Sequence, residues 1–251
     1  MPDAVPVRFF SSDLDGTLLG NAESSGRFKA VWESLDRATR PLLAYSSGRL
    51  IDDLSQFVKS GTLPEADYYI GGVGSQIYDV RAGRLMDEFN THLSGKWDLP
   101  VVRKITANFP GVRPQPDEFQ HAFKSSWFLE RAKRETIAEL KRQLLDAGLD
   151  VKVVYSSGRD LDVLPRNATK GGAVRWLCAR LQIPLESVLV AGDTANDSSM
   201  FLLPGVRGIV VENALPELYE VTVDLPTFTA RSILADGVLD GDRAVTAMAV
   251  I

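Results

Sequence analysis

Residues 9–19 carry the most informative stretch of the chain, which reads Phe9-Phe10-Ser11-Ser12-Asp13-Leu14-Asp15-Gly16-Thr17-Leu18-Leu19. An apolar strand runs directly into Asp13 and Asp15, and ligands of open α/β sheets bind beyond the carboxyl ends of the strands. A carboxylate can attack phosphorus once a divalent cation cancels the repulsion between the two anions, and a second carboxyl can protonate the leaving oxygen. Taken alone, the stretch also fits a turn with solvated aspartates, because Asp and Gly are common in turns.

Similar strands recur along the chain. Short, nearly continuous apolar runs that end in polar turns indicate strands buried on both faces of a parallel sheet. Residues 28–35 and 174–181 carry apolar side chains at helical spacing. Repeated alternation of strand and helix predicts an α/β fold. The predicted strands are residues 5–10, 41–45, 68–71, 187–191 and 208–211.

The middle of the chain, from about residue 79 to residue 164, has more charged residues and more Pro and Gly turns. It contains one clear amphipathic helix at residues 134–147, with Gly148 as the expected C-cap. Because strand and helix do not alternate rapidly here, this region is predicted to be a separate α+β insert. Its predicted strands are residues 122–129, 151–155 and 160–164.

Three further motifs place polar groups at comparable positions. Ser47 follows an apolar strand and could hold phosphate oxygens with the amides after it, or simply cap a helix. Lys170 opens a helix, which is unfavourable to the helix dipole unless the lysine faces an anion; otherwise it is a solvated side chain. Asp193 ends a third strand, and Asn196 and Asp197 follow within one helical turn. Together with the first stretch, these groups supply a nucleophile, an acid, a cation site and partners for phosphate.

The composition restricts the class of protein. The 251 residues are 45% hydrophobic and 24% charged, as in a soluble globular protein of one large or two small domains. The net charge of −5 argues against general nucleic-acid binding. Cys178 is the single cysteine, which excludes an intrachain disulfide and agrees with a reducing compartment. The chain shows no secretory signal and no apolar stretch long enough to span a bilayer, so we expect a cytoplasmic protein without membrane contacts.

The same composition bears on the metal. Two histidines and one cysteine argue against zinc, which favours several His and Cys ligands. A metal bound by this chain would therefore be held by carboxylates, and oxygen ligands with incomplete protein coordination suit Mg²⁺.

In content and order, the four motifs resemble those of the haloacid dehalogenase (HAD) superfamily of phosphohydrolases. The resemblance implies a Rossmann-like core with a parallel sheet, formed by residues 1–79 and 165–251. The insert at residues 80–164 lies between the second and third motifs, which in the superfamily is the position of a C2-type (C2B) cap domain.

The resemblance also implies a role for each motif residue. Asp13 would be the nucleophile that becomes an aspartyl phosphate, and Asp15 the acid and base. Ser47, where Thr is usual, and Lys170 would bind the transferring phosphoryl group. The implied magnesium ligands are Asp13, Asp15 through its backbone carbonyl, Asp193, and Asn196 and Asp197, the last two holding waters of the ion or orienting Lys170.

Within the superfamily, four stretches resemble the sucrose-phosphatase group: residues 72–78 (GVGSQIY), 123–126 (FKSS), 156–165 (SSGRDLDVLP) and 211–214 (VENA). This group takes sugar phosphates, chiefly sucrose 6-phosphate, and mannosylfructose-phosphate phosphatase is a close relative; the motifs do not separate the two. The implied contacts to substrate or phosphate are Leu14, Gly48, Arg49, Asn196 and Asn213, with Lys124, Ser157 and Asp160 as candidates for contacts to the sugar.

We therefore expect Mg²⁺-dependent hydrolysis of a disaccharide phosphate monoester, with a small-molecule sugar phosphate as the partner. One alternative is a HAD phosphatase for another sugar or glycerate phosphate. A second is a phosphotransferase or mutase that uses the same aspartyl phosphate. A third is a non-catalytic partner of the glycosyltransferase that makes the phosphorylated sugar; an active phosphatase could also associate with that enzyme.

Overall fold

The computed structural model describes residues 5–156 and 158–246, with side chains described up to residue 241. The chain divides into two compact units, one made of residues 1–85 and 169–251 and the other of residues 86–168. Among the described residues, every helix is either too short or too polar to cross a lipid bilayer.

The described residues form twelve strands and nine α-helices. The strands are β1 (Phe9–Ser12), β2 (Leu42–Ser46), β3 (Tyr68–Gly71), β4 (Gln76–Asp79), β5 (Arg84–Leu85), β6 (Arg113–Pro114), β7 (Ser125–Phe128), β8 (Val151–Ser156), β9 (Asp160–Pro165), β10 (Val188–Gly192), β11 (Arg207–Val210) and β12 (Thr227–Thr229). The helices are α1 (Ala22–Ser34), α2 (Ile51–Lys59), α3 (Glu88–Ser94), α4 (Leu99–Ala107), α5 (Arg134–Asp146), α6 (Lys170–Leu181), α7 (Ser198–Phe201), α8 (Pro216–Thr222) and α9 (Leu234–Thr246).

The larger unit is built on an eight-stranded sheet with the order β12-β11-β10-β1-β2-β3-β4-β5. The pairs from β12 to β3 are parallel, and β4 and β5 are antiparallel. Ser12 at the end of β1 lies opposite Tyr45 in β2 and Ala191 in β10. The three strands therefore end nearly level, and the residues after them reach the same edge of the sheet. This confirms the predicted α/β core with a mostly parallel sheet.

The core of this unit is rich in aromatic side chains. Phe28 and Trp32 lie on the buried face of α1, as their spacing predicts, and their rings pack on each other and on Phe10 with centroids 5.9–6.4 Å apart. Helix α1 begins at Asn21, whose side chain accepts a hydrogen bond from the Ser24 amide, a common N-cap arrangement. The helix ends at Ser34, so Leu35, predicted on the same face, is instead the C-cap residue.

The two predicted domain boundaries fall in the turn of a hairpin and inside a strand. The boundary at 79/80 lies within the hairpin of β4 and β5, where Tyr78 pairs with Leu85 in the large sheet. The boundary at 164/165 lies within β9, which runs to Pro165. Because β5 pairs with β4, the larger unit extends to residue 85. Because β9 pairs with β7 and β8, the whole of β9 belongs to the smaller unit.

The smaller unit is an antiparallel sheet with the order β6-β7-β9-β8, covered on one face by helices. Trp127 of β7 and Leu161 of β9 share a buried cluster with Leu140 and Leu144 of α5. The predicted helix 134–147 is observed as α5, and Gly148 after it has a φ of +81°, which suits the expected helix end. This is the α+β architecture predicted for the insert.

Candidate active site

The ends of β1 and β10 bring carboxylates together. Asp13 follows β1 directly, and its backbone amide donates a hydrogen bond to the Ala191 carbonyl of β10 at 3.0 Å. Asp193 follows β10, and both aspartates are buried, with 5% and 6% of their surface exposed. Asp13, Asp193 and Asp197 each offer a carboxylate oxygen, and these three oxygens lie within 4.8 Å of one another.

Lys170 joins two of these carboxylates. Its Nζ donates to Asp13 Oδ1 at 2.5 Å and to Asp197 Oδ1 at 2.6 Å, and all three side chains are almost completely buried. Lys170 is the first residue of α6, whose N-terminus is capped by the Thr169 side chain. The lysine at this helix start therefore faces two anions, which offsets its unfavourable interaction with the helix dipole.

Asp197 has both carboxylate oxygens engaged. While Oδ1 accepts from Lys170, Oδ2 accepts from the backbone amides of Asp193 and Thr194 at 3.1 and 3.0 Å. The sequence left two roles open for Asp197, holding waters of the metal ion or orienting Lys170. This geometry favours the second role, and Asp197 also holds the turn after β10. Asn196, one residue before it, is exposed.

Two neighbours of Asp13 shape the site, although sequence reasoning assigned them no role. Thr17 Oγ1 donates to Asp193 Oδ1 at 3.2 Å and is completely buried. Gly16 has a φ of +85°, and a Cβ built on it would lie 2.1 Å from Asp193 Oδ2. A side chain at position 16 would therefore displace the Asp193 carboxylate and strain the backbone, and the Asp-Gly-Thr sequence was the signal that could have identified both residues.

Burial dominates the electrostatics of this cluster. Burial raises the pKa of Asp13 well above the ordinary value. The positive charge of Lys170 lowers this pKa and the negative charge of Asp197 raises it, but the effect of burial is the largest. Burial and the Asp197 charge raise the pKa of Asp193 to about 6. Burial disfavours the charged form of Lys170, but the charges of Asp13 and Asp197 outweigh this, and its pKa lies above the ordinary value. The cluster contains three carboxyl groups and one lysine, and a bound cation would reduce the repulsion between the carboxylates.

The residues present fit a magnesium ion. Asp13 and Asp193 supply carboxylate oxygens, the ligands that Mg²⁺ prefers, and the absence of a side chain at Gly16 keeps space open beside Asp193. No His or Cys belongs to the acidic cluster found among the described residues, which agrees with a hard cation.

The second predicted motif lies after β2. Ser47 is buried, and its Oγ accepts a hydrogen bond from the Arg49 amide at 3.2 Å. The Arg49 guanidinium donates to both carboxylate oxygens of Asp15, from Nε at 2.7 Å and from Nη2 at 2.6 Å. Asp15 and Arg49 are thus paired in this structure, with about half of each side chain exposed (52% and 41%).

Leu14 and Asn213, both predicted to contact substrate or phosphate, have side chains that contact the protein itself. The Leu14 side chain is buried in the core, which leaves only its backbone amide for phosphate. Asn213 Nδ2 donates to the Gly16 carbonyl at 2.8 Å, and its Oδ1 accepts from the Leu234 amide at 2.7 Å. Asn213 therefore links the loop of Asp13 to the start of α9.

The predicted sugar contacts belong to the smaller unit. Lys124 is buried, and its Nζ lies 3.1 Å from Asp162 Oδ1, which also accepts from Ser126 Oγ at 2.6 Å. Asp160 Oδ1 accepts from Gln115 Nε2 at 3.1 Å and pairs with Arg159. Ser157 lies outside the described residues.

A Rossmann-like sheet with Asp13 and Asp193 at the ends of two strands, and a buried lysine at the start of a helix beside them, defines a class, the haloacid dehalogenase-like hydrolases. Solved structures agree. A haloacid dehalogenase-like protein of Bacillus subtilis shares the fold, with a TM-score of 0.69 over 96% of this chain and 92% of that chain at 12% identity. The sucrose-phosphatase of Synechocystis, solved with sucrose and phosphate, matches with a TM-score of 0.84 and 31% identity over 96% of this chain and 98% of that chain.

The chain belongs to the sucrose-6F-phosphate phosphohydrolase family, whose model matches residues 6–243. It is 41% identical over 239 residues to the mannosylfructose-phosphate phosphatase of Agrobacterium fabrum, covering 95% of this chain and 96% of that protein. It is 34% identical over 218 residues to sucrose-phosphatase 1 of Nicotiana tabacum, covering 83% of this chain but 51% of that protein. This chain thus spans about half the length of the tobacco enzyme. As a member of this family it is a phosphoric monoester hydrolase of the HAD type.

Proposed function

We propose that the protein is a Mg²⁺-dependent phosphatase that hydrolyses a disaccharide phosphate through an aspartyl-phosphate intermediate on Asp13. The observation that carries the proposal is the buried contact of Lys170 with Asp13 and Asp197 beside Asp193. A lysine that neutralises a buried nucleophilic carboxylate, next to a cation site, is suited to a reaction between two anions.

The proposed chemistry has two displacements. Asp13 attacks phosphorus, an O–P bond to Asp13 forms, the P–O bond to the sugar breaks, and the sugar oxygen takes a proton from Asp15. Water then attacks phosphorus, Asp15 takes its proton, the bond to Asp13 breaks, and inorganic phosphate leaves. Before the first displacement, Asp15 must leave the ion pair with Arg49 and take up a proton from solvent, and the Arg49 guanidinium is then free to bind phosphate oxygens.

Each remaining group has a proposed role. Mg²⁺ would be held by the carboxylates of Asp13 and Asp193 and the backbone carbonyl of Asp15, and when bound it offsets the repulsion between Asp13 and the phosphate. Lys170 and Ser47, with the amide of Gly48, would bind the transferring phosphoryl group. Asp197 would position Lys170, because both of its oxygens are already engaged.

The substrate class rests on the relatives and on the smaller unit. The named relatives act on mannosylfructose phosphate or sucrose phosphate, and the higher identity and matching length favour mannosylfructose phosphate. The polar groups around Lys124 and Asp162 lie on a sheet whose other face carries the apolar core, and buried polar groups of this kind suit recognition of sugar hydroxyls. Lys124 and Asp160 are the proposed sugar contacts.

The test is a panel of phosphate esters assayed for release of inorganic phosphate with Mg²⁺ and with EDTA. We expect a kcat/KM for mannosylfructose phosphate or sucrose 6-phosphate at least about 100-fold above those for hexose phosphates and p-nitrophenyl phosphate. Asp13→Asn should lower turnover at least about 10³-fold. Asp52→Asn, an exposed carboxylate on α2, is the matched control and should retain full activity. Preference for a monosaccharide phosphate would overturn the disaccharide assignment, and transfer of the phosphoryl group to a sugar would indicate a phosphotransferase.

A variant of the smaller unit separates sugar recognition from chemistry. Lys124→Gln should lower kcat/KM for the disaccharide phosphate about 10-fold or more, since a contact of the charged lysine with a sugar hydroxyl is lost. It should leave hydrolysis of p-nitrophenyl phosphate unchanged. An equal loss on both esters would remove Lys124 from the sugar site.

A further inference from the structure

Three consecutive residues, Gly72, Val73 and Gly74, have left-handed backbones, with φ values of +56°, +59° and +83°. This conformation is easily accessible to glycine but strained for a β-branched residue. Among the described non-glycine residues with positive φ, only Val73 is β-branched. Strain of this kind persists only where the surrounding structure holds it, and it clusters at functional sites.

One side of this tripeptide holds the loop after β2. The Gly72 amide donates to the Arg49 carbonyl at 2.9 Å, and the Val73 amide donates to the Ser47 carbonyl at 3.1 Å. The Val73 side chain lies against Gly48, since a Cβ built on Gly48 would be 3.8 Å from its Cγ2. The position of Ser47 is therefore tied to the conformation of Val73.

The other side of the tripeptide touches the start of α6. A Cβ built on Gly74 would lie 2.2 Å from the Thr169 carbonyl oxygen and 2.6 Å from the backbone nitrogen of Lys170. The backbone of Gly74 thus packs directly on the peptide that begins the helix of Lys170. A short run of left-handed backbone therefore lies between the loop of Ser47 and the first residue of α6.

We propose that Val73 is a positioning residue that sets the separation between Ser47 and Lys170. The inference rests on the proposed function in one respect, that these two residues bind the transferring phosphoryl group. The Val73 side chain is only 7% exposed, so its buried contacts can hold the tripeptide in a conformation that a β-branched residue would otherwise leave. A relaxed backbone would turn the Val73 amide away from Ser47 and move Gly74 off the Thr169 carbonyl. Holding both phosphate-binding groups at a fixed distance before substrate arrives is a form of preorganisation.

Stability measurements test the strain. Val73→Ala and Val73→Gly both lose the buried side chain, but only the glycine variant loses the left-handed penalty. We therefore expect Val73→Gly to melt about 1–4 °C above Val73→Ala. At Ala179, exposed in α6, the order should be reversed, because Ala179→Gly weakens an ordinary helix position. A glycine variant at position 73 that is less stable than the alanine variant would contradict the strain and with it the proposal.

Binding of inorganic phosphate tests the positioning. In the presence of Mg²⁺, calorimetry should show a Kd for inorganic phosphate about 10-fold weaker in Val73→Gly than in the wild type, and within about twofold of wild type in Val73→Ile. The loss in kcat/KM should be the same for p-nitrophenyl phosphate and for the disaccharide phosphate, because both carry the same phosphoryl group. A phosphate Kd unchanged in the glycine variant would overturn the proposal. A wild-type enzyme that binds phosphate but does not prefer disaccharide phosphates would overturn the substrate assignment alone.

Discussion

Lys170 Nζ and Asp13 Oδ1 lie 2.5 Å apart, and the side chains that carry them are 3% and 7% exposed. A buried lysine in contact with two carboxylates is both an element of the proposed chemistry and a condition for folding. Without it, Asp13 and Asp197 would be buried charges without a cation.

Replacement of Lys170 should therefore affect stability and activity together. Lys170→Met should lower the free energy of unfolding by about 3–5 kcal/mol, because it leaves buried carboxylates uncompensated. It should lower turnover at least about 10³-fold. The matched control is Lys29→Met, which removes a partly exposed lysine paired with the exposed Glu33 at 2.7 Å and should cost less than about 1 kcal/mol. Urea unfolding of the two variants measures the difference, and equal losses would contradict the role of burial.

A side chain at position 16 should be unfavourable for two reasons, because it would overlap the Asp193 carboxylate and because the backbone φ is positive. Gly16→Ala should cost at least about 2 kcal/mol and abolish the stabilisation by Mg²⁺, because the new methyl group would overlap Asp193. Gly83→Ala is the control, since Gly83 also has a positive φ of +66° but nothing within 4 Å of the added Cβ. It should cost about 1 kcal/mol and leave Mg²⁺ binding intact. Thermal melts of both variants with and without Mg²⁺ provide the comparison.

Asn213 should act through the loop of Asp13 and not on the substrate. Asn213→Asp keeps an oxygen that can accept from the Leu234 amide but loses the donor to the Gly16 carbonyl. We expect kcat to fall about 10-fold with KM nearly unchanged, since the nucleophile loop is less well held. Steady-state kinetics on the preferred ester measures this. A raised KM at constant kcat would instead support the direct substrate contact that the sequence indicated.

Magnesium affinity should fall in mildly acidic solution. Burial raises the pKa of Asp193 to about 6. In the folded protein without metal, the Asp193 carboxylate therefore binds a proton more tightly than it does in the unfolded chain. The stability contributed by that proton is fully present below the unfolded pKa of about 4 and is lost as the pH rises through about 6. Mg²⁺ needs the deprotonated carboxylates of Asp193 and of Asp13, whose pKa burial also raises. Its Kd should therefore be at least about fourfold weaker at about pH 5.5 than at about pH 7.5. Calorimetric titration with MgCl₂ checks this, with Asp193→Asn as the variant that should not bind; a Kd independent of pH would contradict the shift.

Much of the fold and of the site could be predicted from residue type and spacing. The apolar runs before Asp13, Ser47 and Asp193 match β1, β2 and β10 to within a few residues, because strands buried on both faces have continuous apolar sequences. Parallel strands in register end at one edge of the sheet, so the convergence of Asp13 and Asp193 followed from the pattern. The helical spacing around residues 134–147 likewise predicted α5, although the helix ends at Asp146, Ala147 is its C-cap and Gly148, expected as the C-cap, follows it.

Other features depended on distances between residues far apart in the chain. Nothing in the spacing of Asp197 shows that its two oxygens are divided between Lys170 and backbone amides. The resemblance implies a substrate contact for Asn213, and the structure shows that its amide lies between Gly16 and Leu234. It implies a phosphate contact for Arg49, and the structure shows its guanidinium paired with Asp15.

The same distinction applies to Val73. In the sequence, residues 72–78 served only to indicate a family resemblance, and nothing in them shows that Val73 lies between Ser47 and the peptide of Lys170. Periodicity and residue type specify which faces are buried and where strands end, since these follow from local geometry and solvent exposure. Which atoms approach within about 3 Å depends on how separate strands and helices pack, and that packing alone assigned partners to Asp197, Asn213, Arg49 and Val73.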